Sequence, residues 1–368
     1  MAGMNALLAL GQSVWLDFIR RTMVRDGRLE ALVRQGLRGL TSNPAIFEKA
    51  IAGGDEYDDD LRSAIRSNPD ANGAALFEVV AIQDIREAAD LLRGVHESSG
   101  GTDGFVSLEV SPHIAHDSAA TVADARRLWS AVGRPNLMIK VPATPEGVRA
   151  IERLTGDGIN VNATLLFSLA HYEGVAGAYL RGLARAANPE SVASVASFFV
   201  SRVDSLIDRH LDRLGTPEAA ALRGRAAVAN AKLAWHRFNE IFHGSAFEPL
   251  RRRGAHPQRV LYGSTSTKDP AYPDVKYVEE LIGPETVNTL PPETLEAFLD
   301  HGRARSVLES GVEEAHAALA ALEPLGIDMG EVTEFLQRDG VQKFADAYDK
   351  LLAALEAKRD RFLSLAGR

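Results

Sequence analysis

Asn136-Leu-Met-Ile-Lys-Val-Pro-Ala-Thr144 reads as a short buried strand, ended by Pro142, with one lysine inside it. A lysine is rarely buried without a partner or a task. Burial disfavours an ammonium ion, and a neutral amine in a dry pocket is the species that attacks a carbonyl to form a Schiff base. Taken alone, Lys140 has a plainer reading as well: a side chain that snorkels, or that pairs with a structural carboxylate. The surrounding pattern decides between them.

Outward from this strand, short apolar runs alternate with longer amphipathic ones. Strands are expected at 13–17, 37–40, 105–110, 137–141, 159–163, 192–198, 260–263 and 286–289, with helices over 119–132, 145–154, 168–187 and 217–242. Strands separated by helices pair in parallel through right-handed crossovers, and eight such units predict a closed (β/α)8 TIM barrel. Two additions exceed the minimal unit. The stretch 44–100 carries helical segments at 55–67 and 74–97. A long C-terminal helical tail places Val341, Phe344, Tyr348, Leu351 and Leu355 at helical spacing, so it is expected to pack back on the barrel. Gly-Gly at 53–54 and 100–101 marks loops, and the whole of 1–368 reads as one domain.

Composition narrows the chemistry. The chain has no cysteine, which excludes disulfides, thiolate metal sites and cysteine nucleophiles, and is compatible with a reducing cytoplasm. A net charge of −9 argues against a broad nucleic-acid or anionic-membrane surface, so an anionic substrate needs a local cluster of cations. No apolar stretch is as long as a spanning helix, and the N-terminus lacks the basic segment of a signal peptide. The expected location is cytoplasmic. A monomer and a homodimer both remain open.

Side chains alternate along a strand, so parity sorts the polar residues. Ser13, Trp15 and Asp17 share a face, as do Ser107 and Glu109, Met138 and Lys140, Asn162 and Thr164, and Ser197 and Phe199. Each set ends near the C-terminal end of its strand, where barrel enzymes place their chemistry. Singly, each has a structural alternative. Asp17 could cap the next helix, Glu109 could be the counter-ion of Lys140, and Asn162 and Thr164 could bind loop backbone. Jointly they suit aldol cleavage through an enamine. Lys140 condenses with a ketose, while Asp17 and Glu109 are the carboxylates available to move protons.

These residues sit in segments that resemble transaldolases of the longer bacterial form: Trp15-Leu-Asp-Phe-Ile, Thr41-Ser-Asn-Pro-Ala-Ile-Phe, Val106-Ser-Leu-Glu-Val, Ile139-Lys-Val-Pro-Ala-Thr, Asn160-Val-Asn-Ala-Thr-Leu-Leu-Phe-Ser, Ser197-Phe-Phe-Val-Ser-Arg-Val-Asp and Tyr262-Gly-Ser-Thr-Ser-Thr-Lys-Asp-Pro-Ala-Tyr272. The resemblance implies a (β/α)8 barrel, no cofactor, no metal and sugar-phosphate substrates. It also implies transfer of a dihydroxyacetone unit from sedoheptulose 7-phosphate to glyceraldehyde 3-phosphate in the pentose phosphate pathway. By position, Lys140 resembles the Schiff-base lysine and Asp17 the acid/base of the carbon–carbon step. Glu109 resembles the group that works through a water held by Thr164. Asn43 and Asn162 resemble amides that bind substrate hydroxyls, Ser197 contacts the dihydroxyacetone end, and Arg202 resembles a phosphate-binding arginine. A second such arginine is missing from 263–268, where Ser264, Ser266 and Lys268 are the candidates to replace it. The related fructose 6-phosphate aldolases tend to carry a tyrosine near Phe199, which would release free dihydroxyacetone; phenylalanine cannot supply that proton. An inactive sugar-phosphate-binding barrel is the remaining alternative.

Three other motifs are expected to be solvated: the acidic run 55–60, the histidines of Ser111-Pro-His-Ile-Ala-His116, and the arginine loop 251–253.

Overall fold

The computed structural model describes residues 3–52 and 54–366. Met1 and Ala2 of the N-terminal stretch, and the loop glycine Gly53, lie outside the described residues. Eight parallel strands close in sequence order: β1 (Gln12–Leu16), β2 (Gly39–Leu40), β3 (Phe105–Glu109), β4 (Leu137–Pro142), β5 (Val161–Leu166), β6 (Ser194–Phe199), β7 (Arg259–Gly263) and β8 (Thr286–Leu290). This is the expected (β/α)8 barrel. β2 is shorter than its apolar run, because only Gly39 and Leu40 pair with both neighbours. β5 starts and ends later than predicted, so Thr164 falls within it.

Inward positions follow parity. Trp15, Phe105, Met138, Ala193, Val195, Leu261 and Val287 form a separate apolar cluster, a packed layer within the barrel. Gly39 has to be glycine beside it: a Cβ would come within 2.5 Å of the Trp15 ring. The second core wraps the outside of the strands and takes up the helices.

Both additions dock on the barrel. The helix Gly73–Ser98 contacts β3, and the 38-residue helix Met329–Ala366 contacts it in turn. All five apolar residues predicted to hold the tail, from Val341 to Leu355, are buried. Near the helix start, Gln337 Nε2 donates to the carbonyls of Ala143 and Leu165, at 3.0 and 3.1 Å. Leu165 has φ +60° and lies where the β5–β6 register shifts, so this amide caps backbone that the bulge frees from pairing.

Several expectations are corrected. The segment 217–242 is two helices, Pro217–Ala220 and Ala226–Phe242. The break holds Gly224 at φ +66°, whose N–H donates to Asp208 and whose missing Cβ makes room for the Tyr272 ring. The acidic run is only partly solvated. Asp58 is 5% exposed and accepts from Lys358 and Arg361 of the C-terminal helix, while Asp60 pairs with the buried Arg21. Arg251 ends a helical turn, Glu248–Arg251, rather than sitting in a loop. His113 and His116 diverge to separate carboxylates, Asp349 and Glu146.

Candidate active site

Register, more than sequence, assembles the site. Glu109 on β3 pairs with Lys140 on β4, and Lys140 pairs with Asn162 on β5, so three inward side chains form one row. Lys140 is 4% exposed. Its Nζ donates to the Ser42 carbonyl at 3.2 Å and lies 3.7 Å from Glu109 Oε2, an ion-pair distance too long for a hydrogen bond. The Phe344 ring, from the C-terminal helix, is centred 5.5 Å from the same nitrogen.

Glu109 is unusual for a buried carboxylate. Neither of its oxygens has a hydrogen-bond partner among the described residues, and the same is true of Thr164 Oγ1. Burial pushes the Glu109 carboxyl up to about 7, against the opposing pull of Lys140. Asp17 differs: its Oδ1 accepts from Thr41 Oγ1 at 2.7 Å, and Thr41 in turn bonds Thr289 at 2.7 Å. Burial raises its pKa as well, and the charge of Lys140 and the Thr41 bond oppose the rise. Asp17 caps no helix, since the next one, Arg21–Arg25, has Arg20 at its N-cap.

Asn162 binds side chains and not loop backbone. Ser197 Oγ donates to Asn162 Oδ1 at 2.6 Å, and Asn162 Nδ2 donates to Ser107 Oγ at 3.0 Å. This chain ties β6, β5 and β3 together just below the lysine. Asn43 uses its carbonyl oxygen to cap the next helix through the Ile46 N–H at 3.0 Å, which leaves its NH2 group available to a ligand.

A cavity of ≈ 140 Å³ opens above Lys140. Asp17, Asn43, Ser197 and Phe199 line it around the lysine, and Arg202, Ser264, Ser266 and Lys268 line its other part. Glu109, Asn162 and Thr164 stand behind this lining rather than in it. Larger cavities exist on the chain; this one combines the lysine, a carboxylate and two further cations.

The cationic end is pre-built. Arg202 Nη1 is buried without a partner among the described residues. Its guanidinium carbon is 5.3 Å from the Phe199 ring centre, and Phe199 packs on Phe167. Lys268 Nζ donates to Ser266 Oγ at 2.6 Å, and Ser264 Oγ bonds Ser201 Oγ at 2.9 Å. Burial lowers the pKa of Lys268 first, with neighbouring Arg202 and Lys49 acting in the same direction. Such a cluster of cations and hydroxyls is ready for an anion that restores the lost solvation. Among the described residues, no three His, Cys, Asp or Glu side chains group as a metal would require.

Sequence reasoning missed Thr41, Thr289 and Phe344. Thr289 was within reach, because it shares parity with Val287 on β8. Phe344 had no local signal: its place depends on how the tail docks.

Residues 14–355 match the sequence model of the transaldolase/fructose-6-phosphate aldolase family. The chain is 50% identical to a transaldolase of Thiobacillus denitrificans over 94% of its own length and 97% of the relative's. It is 49% identical to one from Parafrankia over 95% and 96%, and 49% identical to transaldolase 1 of Streptomyces coelicolor over 95% and 93%. With the Lys140 row, its carboxylates and the cationic end all inside the matched span, the chain belongs to the transaldolase/fructose-6-phosphate aldolase family.

Proposed function

We propose that this chain is a transaldolase, a transferase that moves a dihydroxyacetone unit between sugar phosphates through a Schiff base on Lys140. The observation that carries the reading is the pairing of Lys140 with Glu109 at 3.7 Å, beside a cavity that ends in Arg202 and Lys268. The Lys140 amine adds to the ketose carbonyl, and loss of water gives the iminium. Asp17 accepts the proton of the hydroxyl beside the breaking carbon–carbon bond, and the aldose phosphate leaves. The electron pair rests in the enamine until an acceptor aldehyde takes it, and Asp17 returns the proton. Hydrolysis then frees the new ketose. Glu109, with Thr164, moves protons in the two steps that release and consume water. Asn43, Asn162 and Ser197 hold the hydroxyls, while Arg202, Lys268, Ser264 and Ser266 hold the phosphate.

Phe199 favours transfer over simple cleavage, since a phenyl ring packed on Phe167 has no proton to give the enamine. Sedoheptulose 7-phosphate with glyceraldehyde 3-phosphate is the expected pair, in the pentose phosphate pathway. Among the described residues no helix is long and apolar enough to cross a membrane. We place the reaction in the cytoplasm, because charged sugar phosphates do not cross bilayers unaided, and treat 1–368 as one barrel unit.

Product analysis tests the reading. Fructose 6-phosphate with erythrose 4-phosphate is expected to yield sedoheptulose 7-phosphate and glyceraldehyde 3-phosphate. Without an acceptor, release should stop near one equivalent of glyceraldehyde 3-phosphate per site. Continuous release of dihydroxyacetone would make the chain a fructose 6-phosphate aldolase instead, and no reaction with either donor would leave only the binding barrel.

A further inference from the structure

A transaldol cycle releases one water when the imine forms and takes one up when it is hydrolysed. Both events occur while a sugar phosphate fills the pocket. That pocket measures ≈ 140 Å³, well under the roughly 300–1,000 Å³ of ordinary ligand sites, so a bound sugar phosphate leaves little room for water to pass. Glu109 does not line it. Glu109 lines a different cavity of ≈ 600 Å³, between the helices Gly73–Ser98, Ser118–Val132 and Met329–Ala366. Lys140 does not line that one. Glu109 therefore borders the lateral space, while its carboxylate, closed off from solvent, lies 3.7 Å from the reacting nitrogen, so this residue is the partition between a space taken by the sugar and a free one.

We propose that water reaches and leaves the Schiff base through this lateral cavity, past Glu109, and not through the sugar-phosphate pocket. The inference rests on the Schiff-base reading of Lys140. Three observations support the route. The cavity offers water polar partners in Arg127, Glu78 and Asp124, joined at 2.6 Å. Both Glu109 oxygens and the Thr164 hydroxyl are buried with no protein partner among the described residues, so they can bind a passing water without giving up an existing bond. And a carboxyl raised to about 7 can give and take a proton at neutral pH. The step balances: the Lys140 amine, the ketone and one proton from the Glu109 carboxyl give the iminium and one water, and the reverse step places the oxygen of a new water on C2 and returns the proton to Glu109. Tyr348, buried on the C-terminal helix, lines the cavity, so the tail serves both spaces: Phe344 faces the lysine and Tyr348 the water route.

The test follows that oxygen. Fructose 6-phosphate in H2(18)O exchanges its C2 oxygen each time the imine forms and hydrolyses. Ala123→Phe and Ala120→Phe put bulk into the lateral cavity from positions on the Ser118–Val132 helix that are not fully buried, so folding is expected to survive and is checked by thermal melting. Both should slow 18O exchange and the approach to the borohydride-trapped adduct about tenfold, with the final adduct yield and KM close to wild type. Exchange at the wild-type rate in both folded variants would overturn the proposal. An absence of trapped adduct in the wild-type protein would overturn the Schiff-base reading itself, and this proposal with it.

Discussion

The barrel holds two buried carboxylates on opposite terms. Asp103, at the N-terminal end of β3, accepts from Trp15 Nε1 at 2.8 Å and from Ser13 Oγ, and lies 3.4 Å from Arg259 Nη2. Arg259 also donates to Ser13 at 2.9 Å, so Asp103 sits in a closed network. Glu109, at the C-terminal end of the same strand, has one cation at ion-pair distance and no hydrogen bond. A buried polar group without partners costs stability, about 1–3 kcal/mol and more when charged. The closed network at one end holds the fold together. The open one leaves its groups free to bind and react, and the fold supports that cost.

If this contrast is right, substitutions at the two ends should separate activity from stability. The largest effect is expected for Lys140→Ala: loss of transfer by at least about 10⁴-fold, with the melting temperature little changed because Glu109 can take a proton in place of its lost partner. Appreciable turnover in a coupled assay would break the account. Glu109→Gln should slow adduct formation in rapid-mixing traces by about 10²–10⁴-fold.

The same variant tests pH linkage. The folded carboxyl holds its proton up to about 7 whereas an unfolded one loses it near 4.5, so between these values the native state binds more protons. Stability therefore falls as pH rises through that window, by up to ~3 kcal/mol at pH 8. Urea unfolding should show Glu109→Gln lacking this loss; an unchanged pH dependence would assign it elsewhere.

Asp103→Asn should do the reverse: lose roughly 3 kcal/mol to urea while keeping kcat per folded molecule within a few-fold. A large fall in kcat at intact stability would erase the distinction between the ends. Smallest is Lys268→Met, expected to raise KM about tenfold with kcat nearly unchanged. An unchanged KM would shift phosphate binding to Arg202 and the serines alone.

The sequence made much of the open end legible because strand parity is strict. Ser107 with Glu109, Met138 with Lys140, and Asn162 with Thr164 could be placed on a shared strand face from alternation alone. The register that sets Glu109 beside Lys140, and Lys140 beside Asn162, could not, because it depends on pairing between strands far apart in the chain. Asp103 was overlooked for a related reason: it lies in the loop before β3, and only closure of the barrel brings Ser13, Trp15 and Arg259 to it. Phe344 was read as one of several packing residues. That it, of all the tail, lies over the lysine follows from Gln337 docking on Ala143 and Leu165. Asp58 misled because an acidic helix start usually faces water, and its partners Lys358 and Arg361 are about three hundred positions away.

The most direct measurement is borohydride reduction of the protein with fructose 6-phosphate, followed by peptide mass spectrometry. The account predicts a reduced three-carbon adduct on Lys140, because the donor's carbon–carbon bond breaks and the enamine waits for an acceptor. An adduct on another lysine, or none on a folded protein, would contradict it.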